Sequence, residues 1–265
     1  MSAVVYLFLA HLGVGIAFTL LIVSRQAGVK FFRFNAGLAA ALIAAALAFR
    51  PGEGAAAAQV ANRGSLTALG IALACLALYW IIAGRVWAWL RPPLASIASI
   101  AGGTAVVLHG LAAARPVSGP TWTALSAVSS SALLGGTCTS MVLGHWYLVL
   151  PSLEVGHLQR LVRYHLVTLA IRIVIVAIVL VLAREVPLAT GQSLMRYISS
   201  VGGIFFWQRV LFGLAAPAVL GYLTWETAKI RSTQSATGIL YVDLFTVVVG
   251  EMLANYVLLS TGLAV

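Results

Sequence analysis

Four of the five histidines fall inside long apolar runs: His11, His109, His145 and His165. An imidazole in such a setting is an axial ligand for haem iron, a quinone contact, a proton relay, or a packing group bonded to a neighbouring helix. Depth sorts them. Counting ~1.5 Å per helical residue from the nearest span end, His11 and His109 lie near one face of a membrane. His145 and His165 lie near the other, with Asp243 at a similar depth. Arg172, Arg209 and Glu251 fall around the midplane on consecutive spans. An ionisable group there costs several kcal/mol unless paired, hydrated or bound, so the three are expected to cluster. The sharp reading takes the histidines as two pairs, each holding a b-type haem, with the arginines neutralising propionates or a semiquinone. The plain reading makes each histidine a hydrogen-bonded packing residue and the arginines structural partners of Glu251.

The stretch MVLGHWYLVLPSLEVGHLQRLVRYH (141–165) concentrates the question. His145 stands inside a span whose Trp146 and Tyr147 are expected to line a pocket. Pro151 ends that span, His157 beside Glu154 reads as a surface residue, and His165 re-enters at the depth of His145. The pairing requires these last two to face each other.

Other chemistries find no pattern. HExxH, GxSxG, Walker and Rossmann fingerprints are absent from the sequence. Ser140 and His145 are five residues apart, so they do not share a helical face. Cys75 and Cys138 sit in apolar segments without CxxC spacing, which argues against a disulfide framework or covalent haem.

The elements that must position these groups are membrane helices. The chain is 62% hydrophobic and 8% charged, with mean hydropathy +1.03, outside the range of soluble domains. Eight spans are expected, roughly 3–23, 35–50, 66–84, 94–113, 127–150, 161–183, 199–222 and 237–261, forming one all-α transmembrane domain over 1–265. The first span starts at once, with no cleavable signal pattern. Pro217 interrupts the seventh span, and the polar stretch from Lys229 to Gly238 reads as a loop that caps the eighth helix.

Loop charge orients the bundle. Arg25, Lys30, Arg33, Arg85, Arg91, Arg160, Arg163, Lys229 and Arg231 fall on one side, against Arg50, Arg63, Arg115, Arg184 and Arg196 on the other. The positive-inside tendency puts the first group in the cytoplasm and both termini outside, as in a bacterial cytoplasmic membrane. The net charge of +10 is thereby read as loop arginines meeting anionic lipid, with no basic stripe for nucleic acid.

Eight spans with little extramembrane mass, intramembrane arginine and a glutamate on the last span resemble the membrane anchor subunits of polysulfide-reductase and DMSO-reductase type complexes. The likeness lies in architecture, with Glu251, Arg209 and His145 as the residues compared. It implies quinone exchange and partner subunits carrying further redox centres, and the extra histidines depart from it toward a haem-bearing anchor. The leading expectation is therefore a membrane subunit of an electron-transfer complex that binds b-type haem, quinone or both. The alternatives are a transporter or channel for a small solute or anion with a midplane arginine site, and a structural or assembly subunit.

Overall fold

The computed structural model describes residues 2–52, 58–85, 87–150 and 153–265. Nine α-helices account for nearly all of them: α1 (Ser2–Thr19), α2 (Gly28–Ala48), α3 (Arg63–Ile82), α4 (Arg91–Ala113), α5 (Gly119–Val149), α6 (Gly156–Leu182), the single turn and a half of α7 (Leu194–Ile198), α8 (Gly203–Lys229) and α9 (Thr233–Thr261). All but α7 are long and apolar enough to cross a membrane.

The helix ends follow their sequences. Asn62 caps α3 by accepting from the Ser65 amide at 2.9 Å. Prolines open α4 and α5, where the first-turn N–H has no partner to lose. Gly262 closes α9 in the left-handed region (φ 79°) and turns the chain back. Residues Leu263–Val265 then tuck into the bundle, each no more than 1% exposed. Ser118 secures them, donating to the Gly262 carbonyl at 2.9 Å and accepting from the Ala264 amide at 3.0 Å.

Helices α1 and α5 are the most enclosed. Helices α2, α3 and α4 pack around one side, and α6, α8 and α9 around the other, with α5 touching α1, α4, α6 and α9. The α1–α5 contact is backbone to backbone: a Cβ on Gly135 would overlap Gly15. Without a hydrophobic drive between helices in lipid, such close approach is what holds them. Outward faces are apolar, as on α6, where Val167, Ile171, Val174 and Val181 are exposed.

Several boundaries differ from expectation for identifiable reasons. The second span is not short: α2 starts at Gly28 because Lys30 and Arg33 are accommodated at the helix end, Arg33 over the Trp80 ring at 5.4 Å. Helix α5 begins at Gly119, since its Ser- and Thr-rich start is polar but buried. The 229–238 stretch is mostly helix. Helix α9 begins at Thr233, and Ser232 makes no side-chain cap, its hydroxyl pairing instead with Ser235 at 3.0 Å. Pro217 does not break α8. A π turn at Leu211–Ala215 precedes it and absorbs the missing i−4 hydrogen bond. Pro151, the expected end of the fifth span, lies outside the described residues.

Candidate functional site

The polar groups of the bundle interior fall into three layers, and α5 contributes to each. Its serines Ser126, Ser129 and Ser130 recur at helical spacing, so one face meets the midplane cluster. There Arg172 of α6 grips Glu251 of α9 with two nitrogens, Nε to Oε1 at 3.3 Å and Nη2 to Oε2 at 3.0 Å. Ser130 donates to the same carboxylate at 2.5 Å. The remaining Arg172 donors reach the Ser126 carbonyl (2.8 Å), the Ser126 hydroxyl, the Ser129 hydroxyl (3.3 Å) and the Val265 carbonyl (3.1 Å). That side chain is fully employed.

Arg209 of α8 is different. Its Nη2 lies 3.0 Å from Glu251 Oε1, yet none of its three nitrogens makes a hydrogen bond of good geometry. It is 0% exposed. Room for it depends on two glycines: Gly213 and Gly250 touch, and a Cβ on Gly213 would collide with the Arg209 guanidinium. The π turn carries Gly213, so the irregular backbone of α8 brings Arg209 to Glu251. Two guanidinium groups thus share one side-chain carboxylate.

Midway along α1, His11 stacks on His109 with ring centroids 5.7 Å apart and planes 27° from parallel. Tyr6 meets His109 Nε2 at 2.9 Å. Neither ring nitrogen of His11 has a partner, nor does His109 Nδ1. These rings open on a small cavity of about 20 Å³, bounded also by Ser126, Ser130, Arg172 and Asn255. That volume accommodates about one water molecule.

In the third layer, His165 of α6 sits between Thr137 and Asp243, at 2.8 Å from Thr137 Oγ1 and 3.1 Å from Asp243 Oδ2. Thr137 gives its own proton to the Leu133 carbonyl at 2.8 Å, so its oxygen accepts from His165 Nδ1–H. The other nitrogen, Nε2, is left for Asp243. His165 lies seven residues before Arg172, and Asp243 eight before Glu251, so this layer is ~10–12 Å from the midplane cluster.

The expected residues are therefore brought together unevenly. Arg172, Arg209 and Glu251 cluster, and His11 meets His109. His145 and His165 do not pair: His145 is exposed and bonded to Tyr241 at 3.1 Å, while His165 is 0% exposed, bonded through Nδ1 to Thr137, with Nε2 near Asp243 but making no hydrogen bond of good geometry. The reason is helical phase. Eight residues beyond Thr137 on α5 turn His145 about 80° away from the face that meets His165, while its neighbours Leu143, Gly144 and Tyr147 stay buried. Trp146 and Tyr147 pack and anchor rather than line a pocket. Trp146 lies edge-on to Phe31, and Tyr147 donates to the Glu154 carbonyl at 2.5 Å. His157 is at the surface, 2.6 Å from the Gln26 amide oxygen.

Among the described residues, no three His, Cys, Asp or Glu side chains gather as a metal site. The sequence reasoning passed over Tyr6, Thr137, the α5 serines and Asn255. Only the serines carried a signal, through their i, i+3 and i+4 spacing. No protein-family model matches the chain, and no curated protein matches it.

Proposed function

We propose that the chain is a transporter or channel for a small anion, held in a cytoplasmic membrane with both termini outside, with its selectivity set by Arg172 and Arg209. The observation that carries this reading is Arg209: a fully buried guanidinium 3.0 Å from Glu251 whose nitrogens make no hydrogen bond of good geometry. A guanidinium so poorly satisfied at that depth costs several kcal/mol. A permeating anion supplies the missing acceptor, and it meets hydroxyl, amide and imidazole groups at the adjoining cavity. The π turn next to Arg209 supplies a place for α8 to flex, as such turns do at functional sites.

Halide efflux from proteoliposomes tests the proposal. Wild-type protein is expected to conduct, and Arg209→Ala to lose flux while keeping its fold, because the Arg172–Glu251 pair stays complete without Arg209. A reduced b-type absorption band or quinone extracted from active protein, with no anion flux, would instead support an electron-transfer subunit and overturn this reading.

A further inference from the structure

A second feature stands apart from the anion path and does not depend on it. At the end of the bundle where most of the loop arginines lie, a cleft of about 570 Å³ opens between the end of α1, the start of α2, the end of α3 and the start of α4. That is within the usual size of a small-molecule site. Its lining is apolar at Leu20, Leu21, Val29 and Phe32 and cationic at Arg25 and Arg91, with Trp89 beside them. No acidic residue lines it.

The two arginines have no carboxylate partner among the described residues. Arg91 also holds its Nε out of solvent without a hydrogen-bond acceptor. Trp89 is 72% exposed, the placement of an indole that sits at headgroup level. An apolar trough with a doubly cationic rim at the membrane surface complements a molecule with acyl chains and a phosphate. We infer that the cleft is a specific site for an anionic phospholipid, its phosphate between Arg25 and Arg91 and its acyl chains along Leu20, Leu21, Val29 and Phe32. The lipid would bridge α1 to α4 where no protein side chain supplies the negative charge.

The cleft at the opposite end shows the contrast. It is comparable in size, about 740 Å³, but apolar around a single arginine, Arg184, and so provides an internal control.

Full-length protein in nanodiscs of equal parts phosphatidylglycerol and phosphatidylcholine, released into mild detergent, can be weighed by native mass spectrometry. Wild-type protein is expected to retain phosphatidylglycerol in preference to phosphatidylcholine, and high salt to weaken the preference. The double variant Arg25→Gln/Arg91→Gln should lower phosphatidylglycerol retention about 25-fold, from two surface charges of roughly fivefold each. Arg184→Gln should leave it unchanged. Equal retention of both lipids by wild-type protein overturns the site without any variant. Full phosphatidylglycerol retention by a folded double variant overturns it as well.

Discussion

At the scale of single residues, charge balance separates side chains that sequence treats alike. Glu251 holds two arginines, so Glu251→Gln leaves both buried without a carboxylate. Breaking a buried pair in this way is expected to destabilise by ~3–5 kcal/mol, read as a large fall in melting temperature in detergent. The histidines divide in the same manner. Replacing His145, which is exposed against Tyr241, should change stability by less than about 0.5 kcal/mol. His165→Ala strips Asp243 of its partner in a fully buried site and should cost about 3 kcal/mol or more. Equal effects of the two substitutions in thermal unfolding would contradict the assignment.

At the scale of the helices, glycines and one irregular turn do the positioning. Gly135 lets α5 touch α1, so Gly135→Val must separate two backbones and is expected to abolish monodisperse protein on size-exclusion chromatography. Gly238 on α9 has nothing within 4 Å of a built Cβ, and Gly238→Ala should be stabilising by up to about 1 kcal/mol through helix propensity. The sequence made the membrane-length helices plain, because eight apolar runs of adequate length leave little choice, whereas the short α7 gave no such signal. It misjudged ends where polarity was confused with exposure. Serines at the start of α5 lowered its hydropathy, yet Ser126, Ser129 and Ser130 are buried against Arg172 and Glu251. The π turn before Pro217 was equally hidden, since proline signals an interruption and not the way a helix accommodates it.

At the scale of the molecule, the polar groups lie at separate depths within an apolar bundle. Depth along the chain was enough to predict that Arg172, Arg209 and Glu251 would cluster, because three charges at one level have few other solutions. Depth could not tell which way His145 points, and that angle separates a facing pair from a surface residue. The facing of His11 and His109 likewise depended on how α1 meets α4, which no local pattern encodes. The resulting arrangement places a fully buried, poorly satisfied guanidinium, Arg209, at the level of Glu251 beside a small cavity. The anion reading stands on that group.

The most direct measurement is halide flux through proteoliposomes containing wild-type protein, Arg209→Lys or Arg209→Met, each first checked for an unchanged melting temperature. Methionine fills much of the arginine volume without its charge, and the Arg172–Glu251 pair remains whole. The account predicts flux in the wild type, partial flux with lysine and none with methionine. Wild-type flux through a folded Arg209→Met protein would contradict it.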